Sequence, residues 1–355
     1  MKRILQITMV FALVFGAGSA LAFHDGGVAY CAGCHTMHNS IDGQVWQTYN
    51  QDGTVDLTNP MPGNEKLLVQ PTATATCLRC HADYGQFAGG FGYGAGGDFY
   101  WVTKEWSFSP WPGGPTTYSV GDNHGHNVIA DDLGLSVDGT LTSAPGGTFQ
   151  SDRMGCTSCH DPHGQDTFRM LYSDGHIGDA SGMAPIGPIN VPVGQSGDAR
   201  FTFTEAAPLA YGQDHHTNIN AYGGGVPETD APHTIYKSGM SEWCSNCHTT
   251  IHEPNAGANQ VHKTSEDLNG LAGNYNQYVT TGDMTGGVQA TAYNALVPFE
   301  DVDADLADPG SYTYAAGPNG TDQVMCLTCH RAHASPFDDA TRWDMHADLL
   351  VDSNP

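Results

Sequence analysis

Apolar positions along this chain seldom fall into a sustained period. The first exception is the N-terminus. Lys2 and Arg3 precede an apolar stretch from Ile4 to Ala17, and Ala20-Leu21-Ala22 supplies the small residues of a cleavage site. This is the pattern of a secretory signal peptide over 1–22, which leaves a single mature domain over 23–355. A retained anchor is the alternative, but the run is short of the about 20 residues that a bilayer span needs. Two later segments carry a helical pattern. Ser265 can cap a helix running toward Tyr278, weakened by Gly270 and Gly273, and Asp338 to Leu350 sets Trp343, Ala347 and Leu350 on one face. Phe201-Thr202-Phe203 reads as a short strand. The glycine-rich stretch from Gly85 to Gly97 excludes a stable helix or packed strand.

Composition explains why the pattern is so thin. The chain has 355 residues with 45 Gly, 20 Pro and only 14% charged residues. Ordering such a backbone is entropically expensive, and side chains alone supply little core to offset it. The fold expected is mostly irregular coil with a few short α and 3-10 helices and minor β structure, wrapped around large apolar groups that are not side chains. The formal net charge of −26 excludes nucleic acid and anionic membrane surfaces as partners. It fits a soluble extracytoplasmic protein or one with a cationic partner.

The ten cysteines identify those groups. Each belongs to a Cys-x-x-Cys-His motif: Cys31, Cys34 and His35; Cys77, Cys80 and His81; Cys156, Cys159 and His160; Cys244, Cys247 and His248; Cys326, Cys329 and His330. This is the attachment signature of c-type haem. Two thiols bond the two vinyl groups, and the adjacent histidine reaches the iron from the same side. Disulfides would explain ten exported cysteines but not five matched histidines. A tetrahedral zinc site is poorly served by a histidine directly after the second cysteine. Five covalently bound haems are therefore expected. The motifs are unequally spaced, so no solenoid period is present.

Each iron requires a second axial ligand unless its site is catalytic. His38, His163 and His333 each stand three residues after a motif histidine, and His252 stands four after His248. Three residues reach at most about 11 Å, too little to round a macrocycle and return to its iron. Each of these imidazoles, if a ligand, must serve a different haem and so draws two haems together. His126 and His262 are further candidates. The other reading places such histidines on haem propionates or at the surface. That reading is preferred for His124, His176, His215, His216, His233 and His346, and also for His24, which lies beside the new N-terminus. Tyr100, Trp101, Trp106 and Trp111 are candidates to pack on porphyrin faces. Methionine ligation is not required.

The sequence also resembles the OmcS-type multihaem cytochromes, which polymerise into extracellular conductive filaments in metal-reducing bacteria. The resemblance runs along most of the mature chain. It rests on Phe23 to Val28, Cys31 to Ser40 (CAGCHTMHNS), Gly97-Asp98-Phe99, Gly125-His126-Asn127, Ala144 to Thr148 (APGGT) and Cys156 to Gly164 (CTSCHDPHG). Gly239 to Cys244 (GMSEWC), Cys326 to Ser335 (CLTCHRAHAS) and Thr341-Arg342 extend it. It implies bis-histidine haems in a continuous stack. It also implies that His38 ligates, in the adjacent subunit, the haem of Cys326 and Cys329 opposite His330. His126, His163, His252, His262 and His333 would be ligands within the chain. The family member carries a sixth motif, whereas this chain has five, so six distal candidates face five irons.

The function expected is long-range electron transfer as a subunit of a secreted, extracellular homopolymeric filament, with metal oxides or other redox proteins as acceptors and no catalytic residues. A monomeric periplasmic or cell-surface shuttle is the alternative. A reductase would need an open iron position, and all five motifs are regular.

Overall fold

The computed structural model describes residues 31–35, 40–41, 44–45, 47–49, 55–60, 67–70, 72–81, 95–108, 117–163, 167–174, 203–212, 233–251, 263–277 and 288–347. The expected signal peptide lies outside them, as do His24, His38, His176, His215, His216, His252, His262, Trp111, Phe201 and Thr202.

Helices are short and gather at the cysteine motifs. They are α1 (Cys31–Cys34), α2 (Ala73–His81), α3 (Met240–Cys244), α4 (Gly270–Tyr275) and α5 (Cys326–Cys329). The third motif forms a 3-10 turn over Cys156–Ser158. Local sequence explains these turns. The Ser158 hydroxyl folds back to accept the Gly155 N–H at 3.0 Å, and Thr328 accepts the Met325 N–H at 3.0 Å. Both satisfy a backbone donor just ahead of the first turn. Thr72 caps α2 by accepting the Ala75 N–H at 3.0 Å. Strand structure amounts, among the described residues, to four two-stranded antiparallel ribbons. They pair β1 (Ser40–Ile41) with β2 (Gln44–Val45), β3 (Gln47–Tyr49) with β4 (Val55–Pro60), β5 (Trp106–Phe108) with β6 (Thr117–Ser119), and β7 (Leu209–Tyr211) with β8 (Ile235–Ser238). The other described residues form short 3-10 turns and irregular coil, as the glycine and proline content leads one to expect.

Three local expectations are corrected. The segment from Asp338 forms only a 3-10 turn over Asp338–Ala340, because Asp339 (φ 57) and Ala340 (φ 54) are left-handed. Ser265 is not a helix cap. Its own φ is 58, and residues 265–269 pair instead with 320–324 through Ser265 N–H to Val324 O and Leu268 N–H to Asp322 O, both 2.7 Å. The helix therefore waits until Gly270. Phe203 lies in coil, with its ring stacked on Trp243 at 5.9 Å.

Side-chain cores are small. One cluster joins Ala75, Leu78, Phe99, Val128, Ala130 and Leu135, and another joins Tyr236, Met240, Met325 and Leu327. Each lies where two motif segments meet, and the two meetings are alike. The Thr74 hydroxyl, three residues before Cys77, accepts the Cys156 N–H at 3.4 Å. The Ser241 hydroxyl, three before Cys244, accepts the Cys326 N–H at 3.0 Å. Motifs two and three thus dock as motifs four and five do. Sequence spacing shows no period, but the packing does. Among the described residues no helix is long and apolar enough to cross a membrane.

Candidate haem sites

The motifs are held by a clamp that recurs at the first, third and fifth. After the third motif, the chain returns antiparallel, with His160 bridged to Leu171 and the Tyr172 N–H donating to the Cys159 carbonyl at 3.1 Å. After the fifth, His330 bridges Thr341 and the Arg342 N–H donates to Cys329 O at 2.8 Å. At the first, His35 bridges Leu68 and the Val69 N–H donates to Cys34 O at 2.9 Å. In all three the residue before the bridge is left-handed: Leu67 (φ 56), Met170 (φ 56) and Ala340 (φ 54).

The residue before that one aims the histidine. Arg169 (φ 49) and Asp339 (φ 57) are also left-handed, which turns their carbonyls onto His160 Nδ1 at 2.9 Å and His330 Nδ1 at 2.7 Å. The Pro145 carbonyl does the same for His248 at 2.9 Å, and the Ala332 carbonyl for His126 at 2.6 Å. A carbonyl only accepts, so Nδ1 carries the proton and the Nε2 lone pair is left for a metal. None of these carbonyls has a sequence signal of its own.

Histidines distant in sequence face one another in pairs. The His35 and His163 rings lie 6.3 Å apart, inclined by 9°. His126 and His248 are 6.1 Å apart, and His160 and His333 are 6.5 Å apart. A metal ion bonded to two opposite imidazoles at about 2 Å per bond holds their ring centroids about 6 Å apart. Burial lowers the proton affinity of His126 and His160 and holds the His333 imidazolium pKa down to about 3. Neutral imidazole is the ligating form.

Segments outside the motifs hold these rings. Residues 96–98 run beside the chain at 333–334, with His333 N–H to Gly96 O at 2.6 Å and Asp98 N–H to Ala334 O at 3.1 Å. A side chain at Gly96 would press on the His333 ring, and Gly97 (φ 83) stands where a Cβ would overlap the Ala334 carbonyl. Phe99 stacks on His333 at 4.6 Å. From the other side the His126 N–H bonds His333 O at 2.8 Å. The APGGT loop cradles the fourth motif in the same way. Gly146 O accepts the Thr250 N–H at 2.8 Å, and a Cβ on Gly147 would overlap the Cys247 carbonyl. Paired glycines were the readable signal for both cradles. His163, half exposed, is oriented by an Asx turn in which Asp161 Oδ1 accepts its backbone N–H at 2.8 Å.

Two histidines assigned to the surface or to propionates are buried in the protein. His124 is fully buried, with Nε2 against the Ser119 hydroxyl at 2.5 Å and Nδ1 against the Trp101 carbonyl at 2.8 Å. Ser119, at the end of β6, also donates to Asp338 at 2.5 Å and so fastens β6 to the fifth motif's clamp, with His124 packed against it. His233 is stacked on Tyr293 at 3.6 Å beside Tyr312 and Tyr314. His346 is half exposed beside Asp344, and His81 lies at the end of α2.

The nine cysteines with described side chains form no disulfide among themselves. Burial raises the Cys159 and Cys247 thiols to about 12. The Cys77 thiol hydrogen-bonds Cys156, and Cys244 hydrogen-bonds Cys326, each contact raising the proton affinity of the earlier cysteine of the pair. Cysteine pairs on helical turns, each followed by a histidine that at the first, third and fourth motifs faces a second imidazole, fit covalently attached haem with two axial histidines. The Cys80 side chain lies outside the described part of the structure.

No family model matches the sequence. The chain is 34% identical, over 97% of its length and 86% of the relative's, to the C-type cytochrome OmcS of Geobacter sulfurreducens. Its fold is similar to the outer membrane cytochrome S filament from Geobacter sulfurreducens, with 31% identity, 91% of this chain and 85% of that one covered, and a TM-score of 0.66. A second solved structure, of OmcS nanowires from the same organism, gives 32% identity, the same coverage and a TM-score of 0.65. Identity of this extent, joined to a shared irregular fold, places covalently bound haem in this chain: it belongs to the OmcS family of c-type cytochromes.

Proposed function

We propose that the chain binds five haems and serves as the subunit of an extracellular filament that carries electrons to acceptors such as metal oxides. The haems attach at Cys31 and Cys34, Cys77 and Cys80, Cys156 and Cys159, Cys244 and Cys247, and Cys326 and Cys329. His35, His81, His160, His248 and His330 are the proximal ligands. A bound haem supplies a one-electron iron couple, and the chain's own residues set its neighbours, its potential and its exposure to water.

The observation that carries this reading is the facing of His163 on His35 and of His333 on His160. In each case an imidazole three residues past one motif histidine is the distal ligand of the previous odd-numbered haem. The same clamp recurs at motifs one, three and five, so the pattern extends to the fifth haem only if another imidazole three past a first motif is provided. His38 of a second copy is that group, and the series then continues from subunit to subunit. His126 serves the haem of His248. Of His252 and His262, one serves the haem of His81 and the other is left as a sixth imidazole without an iron of its own. Chemistry at an open iron is absent from this scheme, which makes the protein an electron carrier and not an enzyme.

Electron microscopy of the mature, haem-loaded protein tests the assembly. Filaments are expected, and a stable small species under all conditions overturns the reading in favour of a monomeric shuttle. His38→Ala is expected to abolish polymerisation while all five haems stay attached. Unchanged filaments would remove the cross-subunit ligand.

A further inference from the structure

Glu300 is a carboxyl acid that haem ligation does not use, and it sits at the joint of two attachment segments. It is 1% exposed. Its Oε1 accepts the Met240 N–H at 2.8 Å, the first backbone donor of α3, which ends at Cys244. Its backbone bridges Gln323, two residues before Met325, and Tyr236 on β8. Met240 and Met325 pack in one apolar cluster, and the Ser241 hydroxyl accepts the Cys326 N–H. The carboxyl thus lies in an apolar seam between the segments that carry the fourth and fifth motifs. The alike joint between motifs two and three has Ala73 in place of Met240 at the start of its helix.

An acid kept from water in this way holds its proton more tightly than usual, and burial, the larger cause, with the charges of Glu242 and Cys326, brings Glu300 up to about 7. In the haem-loaded chain the Cys326 thiol becomes a thioether, so that charge vanishes while the burial stays. The other charged or titratable groups on the elements packed here are Tyr236 and Lys237 on β8, whose ammonium bonds Ala304 O, and Asp301 and Asp322 next to the two bridges. Glu242, exposed on α3, accepts a hydrogen bond from the Ser265 hydroxyl at 2.5 Å and is the solvent-facing carboxylate of the same helix.

We propose that Glu300 is a proton-binding site coupled to reduction of the haems anchored at Cys244 and Cys326. An electron arriving from a neighbouring haem converts one ferric iron to ferrous, and one proton from solvent converts the Glu300 carboxylate to the acid. The pair keeps the net charge of the seam constant, which is the arrangement a low-dielectric site favours. Electron flow through this joint is then linked to proton uptake. The inference rests on the haem assignment made above.

The test uses full-length, haem-loaded protein and Glu300→Gln, whose amide oxygen can still accept the Met240 N–H. Optical potentiometric titrations on either side of pH 7, with proton uptake on reduction measured by an indicator dye in weak buffer, are the readouts. In the native chain part of the reduction curve is expected to move to lower potential as pH rises, with a fraction of a proton taken up. In Glu300→Gln that part lies higher, no longer moves with pH, and the uptake falls. Identical pH dependence and uptake in the two proteins overturns the proposal. Glu242→Gln is the companion variant: removing the neighbouring charge shifts the pH-dependent region to lower pH without touching Glu300, and an unshifted region argues against the coupling. The intact mass of each protein counts its haems, so a chain lacking the haem at Cys326 exposes failure of the haem assignment separately from failure of the proton site.

Discussion

The backbone carbonyl of Asp339 accepts the Nδ1–H of His330 at 2.7 Å from a left-handed residue at φ 57. Arg169 stands in the same relation to His160, nine residues on in both cases. A left-handed non-glycine residue costs about 1–2 kcal/mol, and here the conformation points the carbonyl at the ring. Two consecutive left-handed residues occur at each turn, Arg169-Met170 and Asp339-Ala340. Arg169→Pro cannot adopt that φ and should lose the clamp, destabilising the protein by about 3 kcal/mol. Ala340→Gly should be neutral or stabilising by about 0.5 kcal/mol. Thermal unfolding of both variants, with haem content as a check, tests the assignment. Equal behaviour of the two would contradict it.

The glycine cradles make a sharper steric prediction. A Cβ on Gly147 would overlap the carbonyl of Cys247, which is backbone and has no easy way to move. Gly147→Ala should therefore destabilise by about 2 kcal/mol or more and disturb the region around His248. Gly134 is the control. It is also left-handed (φ 74), but an added Cβ meets nothing within 4 Å. Gly134→Ala should show only the conformational cost, about 1 kcal/mol. Chemical denaturation of both, followed at the haem absorbance, separates overlap from backbone preference.

Ligand and structural histidines should separate by spectrum. Removing His126, His163 or His333 should leave one iron five-coordinate and produce a high-spin signal in the resting protein. His124→Asn should produce none, although His124 is only two residues from His126. Its ring is engaged with Ser119 and Trp101. Loss of these bonds should instead lower stability by about 2 kcal/mol. A high-spin signal in His124→Asn would refute the division of roles.

The haem chemistry was legible in the sequence because covalent attachment needs a fixed local pattern, and five complete motifs leave little room for another reading. The bulk fold was legible for the opposite reason: so many glycines and prolines exclude long elements. The misread segments share one cause. Ser265 and Asp338 look like helix starts, but the backbone groups there bond partners outside the local turn, Val324 for Ser265, and His330 and Arg331 for the carbonyls of Asp339 and Ala340. No local pattern carries that information. His124 and His233 were misplaced because a histidine's burial depends on which aromatic or hydroxyl groups the chain later brings to it. The docking repeat was hidden for a related reason. It resides in Thr74 and Ser241, each three residues ahead of a cysteine, and not in the interval between motifs.

Arg342 gives a prediction about the fifth motif. Its guanidinium is buried and donates to Leu327 O at 2.6 Å, Ala295 O at 3.0 Å and Ala95 O at 3.4 Å. With His330 O, which Nε also reaches at 3.2 Å, four carbonyls from three segments are joined by one planar group. A lysine ammonium is compact and cannot span this fork. Arg342→Lys should leave at least one of these carbonyls unsatisfied, at about 1–3 kcal/mol each. The loss should be local, seen as faster amide exchange at 327–331 and 95–98 before global unfolding. Unchanged exchange there would show that the fork is dispensable.

The buried acid groups make a contribution of definite sign to the pH dependence of stability. Burial raises Glu300 to about 7 and Asp322 to about 6, from ordinary values of 4.5 and 3.8. Both bind protons more tightly in the folded chain than in the unfolded one, so stability rises as pH falls. Their full contribution is present below about pH 4, where both states are protonated. It diminishes as pH rises through the interval up to about 7, beyond which the folded protein must hold two poorly hydrated carboxylates. Because one pKa unit corresponds to about 1.4 kcal/mol, Glu300 accounts for on the order of 3 kcal/mol of this change. Denaturation midpoints should fall from pH 6.5 to 8, above the range in which the buried His126, His160 and His333 give an opposite slope. In Glu300→Gln the fall should be smaller, and the variant should be the more stable protein at pH 8. A native midpoint that rises with pH while the variant keeps the same slope would show that Glu300 is hydrated in solution and that the seam between the fourth and fifth motifs is open to water.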